Sequence, residues 1–199
     1  MDYRAFTEAL ASNAPTPGGG GAAALVGAVG AALGHMVGAL TVGKKKYAAV
    51  EAELTACMER IDALRLRLLE LVQRDADCFA PLAAAYGMAR DDPARAETLE
   101  RATLRAAQPP LEMMRACRDA LTEIAVLAEK GSRLAVSDAG CAAACCRAAL
   151  ESAALNVFIN TKTLRDRAVA DALNAQAEAL LQTGVPLAER IYAAVRANF

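Results

Sequence analysis

Apolar residues recur at three- and four-residue spacing through most of the chain, and the breaks between periodic stretches fall at proline, glycine and aspartate. Tyr3, Phe6 and Leu10 share one face of a first helix that Asp2 can cap. It reaches about Ser12, where SNAPTP holds the chain extended. A second helix runs from about Gly20 to Val42. The third, from about Tyr47 to Met88, is roughly 60 Å long at helical rise. It turns Leu54, Met58, Ile61, Leu64, Leu68, Leu71, Val72, Phe79, Leu82 and Tyr86 inward. Asp92 ahead of Pro93 caps the next helix, Gln108-Pro109-Pro110 breaks or kinks it, and Gly131 closes it. Ser137 caps a helix reaching about Thr163, and a last one runs from Asp166 to the end, disturbed near Gly184 and Pro186.

With up to seven helical segments and no alternating strand pattern, the sequence predicts an all-α bundle. Its long helices surround the Gly/Ala-rich second helix in a single domain spanning 1–199. A helix of roughly 60 Å outruns a compact domain of 199 residues, whose radius of gyration is about 16–17 Å. Part of its apolar stripe therefore needs cover from a second copy, and a homodimer or a multiple of one is expected.

Composition narrows the function. Apolar residues make up 55% of the chain and aromatics 4%, an alanine-rich helical profile without stacking platforms for single-stranded nucleic acid. Lys plus Arg is 22 and Asp plus Glu is 23, so no general positive field recruits nucleic acid and any electropositive site is local. The six cysteines form no CxxC and have one histidine to join them, so they read as small packing thiols in a reducing cytoplasm rather than as a metal site. The segment MDYRAFTEAL has no basic region followed by an apolar core, so no signal peptide is expected.

The most distinctive stretch is PTPGGGGAAALVGAVGAALGHMVGALTVGKKKY, residues 15–47. It is long enough to cross a bilayer, but its Ala/Gly content and the mid-run His35 make it weakly hydrophobic, so a membrane role is not expected. Gly30, Gly34 and Gly38 form a small-residue stripe that allows close packing. Glycine costs helix stability by about 1 kcal/mol per position, which packing or a ligand must offset. The lysines come too late for a nucleotide-binding P-loop. Gly18, Gly19 and Gly20 still leave unpaired N–H groups at a helix N-terminus, suited to an anion or a polarised carbonyl or simply to a tight turn. Lys44, Lys45 and Lys46 are the densest positive patch, and they suit either a small carboxylate- or phosphate-bearing molecule or a solvated turn.

Four polar residues complete the candidate set. Asp75 falls inside the apolar stripe of the third helix, where its pKa should rise toward that of a general acid, or where it ties helices together. Asp77 shares a face with Glu70, Gln73 and Arg74 and reads as solvent decoration. Asp138 stands at a helix start, where aspartate also suits the dipole. Asn156 and Asn160 lie four apart on an apolar helix and either bridge helices or read the edge of a heterocycle. His35, alone on a Gly/Ala helix, reads as a satisfied core or interface residue.

Together with DADCF at 75–79, VSDAG at 136–140 and NVFIN at 156–160, the glycine-to-GKKKY segment resembles the cyclodeaminase/cyclohydrolase family of folate enzymes. These segments lie in the family's order across nearly the whole chain. Gly21 is a departure, standing where the family often has serine. The resemblance implies a helical subunit that dimerises, a folate site along the glycine-led helix, and conversion of formimino- or formyl-tetrahydrofolate to or from 5,10-methenyltetrahydrofolate. On that reading Asp75 and Asp138 transfer protons or anchor the pterin. Gly18, Gly19 and Gly20 contact it through the backbone, while Asn156 and Asn160 orient the ring. Lys44, Lys45 and Lys46 hold the glutamyl tail, polyglutamylated or not. No metal and no cofactor beyond the folate substrate is implied. The rival reading is a non-catalytic assembly protein with the glycine stripe as its dimer seam.

Overall fold

The computed structural model describes residues 2–199 as seven α-helices: α1 Tyr3–Leu10, α2 Gly19–Ala39, α3 Glu51–Tyr86, α4 Arg95–Ala106, α5 Gln108–Lys130, α6 Val136–Thr161 and α7 Arg167–Arg196. Short 3₁₀ turns, Lys45–Val50 and Arg133–Ala135, lead into α3 and α6. Among the described residues there is no strand. Asp2 caps α1 by accepting from the Ala5 N–H at 2.7 Å, and Asp166 caps α7 by accepting from Val169 at 3.1 Å.

Four boundaries differ from the expectations. The third helix begins at Glu51, because the lysine turn continues as 3₁₀ helix to Val50. Asp92 caps a turn through the Ala94 N–H at 2.8 Å, and α4 starts only at Arg95. Ala135, not Ser137, holds the cap position of α6, since the 3₁₀ turn feeds directly into the helix. Finally, α7 runs unbroken through Gly184 and Pro186. Gln182, whose carbonyl loses its partner to the proline ring, is exposed, so water can satisfy it.

α2 packs between α3 and α6, with α5 behind it. Its glycines make room for neighbouring helices of the same chain. A Cβ on Gly30 would lie 3.0 Å from the Ala142 carbonyl of α6, on Gly34 2.6 Å from Ile61 Cδ1 of α3, and on Gly38 2.5 Å from Met58 Cγ. A four-residue step overshoots one helical turn, so the stripe drifts from the α6 side to the α3 side. The glycine stripe is thus occupied inside the subunit and cannot be the seam the assembly reading needs. The outer face of α2 instead carries exposed Val26, Val29, Met36 and Leu40, and Leu66 and Leu69 of α3 are exposed as well. On α3, Leu54, Ile61, Leu68, Leu71 and Leu82 are buried as the stripe predicts, while Tyr86 is exposed at the helix end. Two stretches, Gly19–Ala39 and Arg133–Thr161, are long and apolar enough to cross a membrane, and about half of each lies buried within this bundle.

Candidate active site at the start of α2

Gly18 occupies the N-cap position of α2 and offers no side-chain cap, so the first-turn N–H groups of this apolar helix lack local partners. Two other helices bring polar groups to that gap. From α3, the Asp75 carboxylate comes so close to Gly20 that a Cβ there would stand 2.4–2.6 Å from its oxygens and Cγ. From α6, Asn156 lies against Gly19, with Nδ2 3.3 Å and Oδ1 3.5 Å from a Cβ at that position. The bare glycine backbone therefore sits between a carboxylate and a carboxamide. Burial among α2 and α3 pushes Asp75 up to about 6, with the Gly21 N–H opposing the shift.

The carboxamides divide in role. Asn156 donates through Nδ2 to the Ser152 carbonyl at 2.8 Å, which leaves its Oδ1 free to accept from a ligand. Asn160 donates to the Asn156 carbonyl at 2.8 Å and reaches the Ala106 carbonyl at 3.4 Å, so it bridges α6 to the end of α4. A cavity of about 340 Å³ opens beside Asn156, lined by Gly19, Val26, Ser152 and Leu155. Another of about 470 Å³ lies on the α3 side, under Tyr3, Phe6 and Pro17. Ser152 belongs to the site and escaped the sequence reading, because nothing in its local pattern separates it from a solvated helix position. A Cβ at Gly21 would meet Pro17 and Val72 at ordinary contact distances of 3.4–3.9 Å, so the departure at this position leaves the Asp75 contact untouched.

The remaining predicted site residues lie elsewhere. Asp138 is in the first turn of α6, about 27 Å along the axis from Asn156 at 1.5 Å per residue. α2 and α6 run antiparallel, and Lys44, Lys45 and Lys46 follow the far end of α2. Lys44 donates to the Leu40 carbonyl and closes that helix end. One chain therefore brings together Gly18, Gly19, Gly20, Asp75, Asn156 and, at its edge, Asn160. It does not bring Asp138 or the lysines to them.

Asp77 is exposed and accepts from Gln73 at 2.9 Å. Its neighbour Arg74 is not free in solvent but pairs with Glu112 of α5 at 2.8 Å. His35 is half-buried on α2. Among the described residues no group of three or more His, Cys, Asp or Glu side chains comes together. Four cysteines are buried, Cys145 is half-buried, and Cys141 is exposed rather than packed in the core.

The formiminotransferase-cyclodeaminase family model matches residues 2–179. The chain is 44% identical to methenyltetrahydrofolate cyclohydrolase of Methylorubrum extorquens, over 97% of this chain and 95% of that protein. It is 28% identical to formimidoyltransferase-cyclodeaminase of Rattus norvegicus over 90% of this chain, spanning about a third (34%) of the rat protein's length. The crystal structure of formiminotetrahydrofolate cyclodeaminase from Thermotoga maritima superposes with a TM-score of 0.91 at 29% identity, covering 99% of this chain and 96% of that one. With its glycine-led helix bracketed by Asp75 and Asn156, the chain belongs to the formiminotransferase-cyclodeaminase family.

Proposed function

We propose that the dominant reaction of this folate one-carbon enzyme is hydrolysis of 5,10-methenyltetrahydrofolate to formyltetrahydrofolate. The observation that carries the reading is the half-buried Asp75 carboxylate seated on the uncapped start of α2. The near full-length likeness to a methenyltetrahydrofolate cyclohydrolase supports this direction over cyclodeamination. With a pKa of about 6, Asp75 is mostly ionised at neutral pH yet still binds a proton readily. It can take a proton from the water that attacks the cationic methenyl carbon, giving a tetrahedral carbinolamine. It then returns that proton to the nitrogen whose C–N bond breaks, while the carbinol O–H gives its own proton to solvent and becomes the formyl C=O on the other nitrogen, so that hydrolysis of the cation releases one net proton. A carboxylate is also the right charge opposite a cationic one-carbon bridge, and the free N–H groups of the glycines suit oxygen as it gains charge. These steps use the chain's acid–base groups and the folate alone. Decay of the methenyl chromophore on mixing with the protein tests the reading; a rate no faster than the spontaneous one overturns it.

We further infer that each site is completed by a second copy. From pterin to tail an extended monoglutamyl folate spans on the order of 15–20 Å, less than the distance of about 27 Å between the two polar ends of the subunit. A two-fold axis across the exposed Val26–Val29–Met36–Leu40 face would pair α2 with its copy in antiparallel fashion. That arrangement sets the Asp138 and lysine end of one chain beside the Gly18–Gly20 and Asp75 end of the other. The substrate then has its one-carbon bridge at Asp75, its ring edge on Asn156, and its acidic tail on the lysines of the partner. Light scattering that finds a 20.7 kDa particle at assay concentration would count against the arrangement.

A further inference from the structure

We infer that α1 is a hinged cover over a second compartment of the site, and that Tyr3 and Phe6 on it hold the p-aminobenzoyl ring of the substrate. The inference rests on the folate reading above. Gly21 is the partition between this compartment and the carboxylate. Its N–H is directed at Asp75, while a Cβ on it would point at Pro17 and Val72, 3.4–3.9 Å away. Those two residues wall the cavity of about 470 Å³ between α1 and the α2–α3 pair, together with Tyr3, Phe6, Leu25 and Leu69. A largely apolar and aromatic wall around a volume within about 300–1,000 Å³ is what organic ligands occupy.

A reduced folate carries one ring system on each side of its one-carbon bridge, the pterin at N5 and the p-aminobenzoyl group at N10. The start of α2 likewise has a cavity on each side, and the polar groups decide which ring goes where. On the α6 side Asn156 keeps a free amide oxygen for the pterin edge. On the α1 side the polar side chains are turned to their own helices. Asp2 accepts from the Ala5 N–H at 2.7 Å, and Gln73 donates to Asp77 at 2.9 Å. A pterin there would bury donors and acceptors without partners, whereas the p-aminobenzoyl ring gains contact with two aromatic side chains.

The attachment of α1 lets it swing. Phe6 is its one buried side chain, at 7% exposure, whereas Tyr3 borders the cavity and is still 81% exposed. Every side-chain hydrogen bond formed by residues 2–14 stays within them. Eight residues are too few to hold a helix in water alone, so the order of α1 depends on Phe6 resting on the bundle. A ring in the cavity adds a second attachment through Tyr3 and closes the cover. Its departure leaves Phe6 alone, and the cover opens to release product.

The test uses the full chain. Because the chain contains no tryptophan, Tyr3→Trp places a single reporter on the cover. p-Aminobenzoylglutamate should move its emission to shorter wavelength, and 6-hydroxymethylpterin should not. In the parent, hydrogen exchange of the α1 amides should slow about 10-fold or more under saturating p-aminobenzoylglutamate. In kinetics on methenyltetrahydrofolate, Tyr3→Ala should raise KM about 3- to 10-fold without lowering kcat. Tyr3→Phe keeps the ring and should match the parent, as should Leu10→Ala, on the same helix but outside the cavity wall. A merely structural Tyr3 would lower the melting temperature on truncation and leave KM alone. The proposal is overturned if neither emission nor exchange responds to p-aminobenzoylglutamate, if the pterin moves them instead, or if Tyr3→Ala keeps the parental KM. Absence of turnover on every folate would instead defeat the catalytic reading, while emission and exchange would still decide on the cover.

Discussion

Gly20 and Asp75 are in contact across α2 and α3 so closely that no side chain fits between them. A Cβ on Gly20 would stand 2.4 Å from Asp75 Oδ1 and 2.6 Å from both Cγ and Oδ2. All three atoms belong to the tip of one short side chain, so an added methyl group can be relieved by swinging the carboxylate aside without moving a helix. Gly20→Ala should therefore fold. Its melting temperature should stay level or rise, because alanine is worth up to about 1 kcal/mol over glycine within a helix. Turnover should fall by about 10-fold or more, as expected when a positioned base is displaced. A drop in stability with turnover per folded molecule unchanged would mean that the contact is packing alone.

Asp75→Asn separates the chemistry from the fold in the opposite way. The native carboxyl holds its proton up to about pH 6, against 3.8 for a free aspartate. The folded state thus binds the proton more tightly than the unfolded one between those values. The stability linked to this group is fully present below about pH 4 and is lost as pH rises through about 6. A shift of about two units corresponds to about 3 kcal/mol, and partial exposure reduces it to about 1–3 kcal/mol. The Asn variant should consequently match the parent near pH 4 and exceed it in stability at pH 7.5, as denaturant titrations at the two pH values would show. Its kcat/KM should fall by about 100-fold or more and lose the acidic limb that the parent shows near pH 6. Asp77→Asn, which alters only an exposed contact with Gln73, should leave both profiles where they are.

How much of this could be read from the chain itself follows from which residues signal locally. The helices and the inward face of α3 were legible because burial there follows a period that sequence displays: Leu54, Ile61, Leu68 and Leu71 all point inward as predicted. Asp75 was legible for the same reason, as a charge out of place in an apolar stripe. The continuity of α7 was not, since a proline is tolerated wherever the carbonyl it orphans faces water, and local sequence does not reveal which way Gln182 faces. Nor was the separation of Asp138 from Asp75. It follows from the antiparallel packing of α2 on α6, a tertiary fact that places the two ends of one helix at two ends of the molecule.

The exposed face of α2 gives an assembly prediction. Val29 is 48% exposed in the isolated subunit, in the middle of an outer stripe whose other large members are Val26, Met36 and Leu40. Burying such side chains against a copy is worth about 1.5–3 kcal/mol each when complete. Val29→Glu would instead place an unpaired charge at the centre of the seam. The variant should run as a monomer by light scattering with its far-UV circular dichroism intact, and it should lose activity with the dimer. A variant that stays dimeric and active would move the seam to another face.

A shared site has a sharper consequence, because two defects can then complement each other. Asp75→Asn and Asp138→Asn each alter one end of the subunit, about 27 Å apart along the bundle. In homodimers of either variant every shared site carries one defect, and both preparations should be nearly inactive. Co-expression, or mixing after mild dissociation, gives about half heterodimers when subunits exchange at random. In a heterodimer one site receives both substitutions and the other receives neither, since Asp75 of one chain meets Asp138 of its partner. The mixture should therefore recover up to about a quarter of parental activity. If each site lay within one chain, every site in the heterodimer would still carry a defect and nothing would be restored. A mixture of Asp75→Asn with Gly20→Ala serves as the control: both changes fall at the same end of the subunit, yet they lie on different chains of the heterodimer. Each of its sites then keeps one defect, so it should show no recovery beyond the residual rates of the two variants. Recovery in the first mixture and none in the second would place Asp75 and Asp138 in one site contributed by two chains. No recovery in either, with heterodimers demonstrated by mass, would overturn a site shared between two chains.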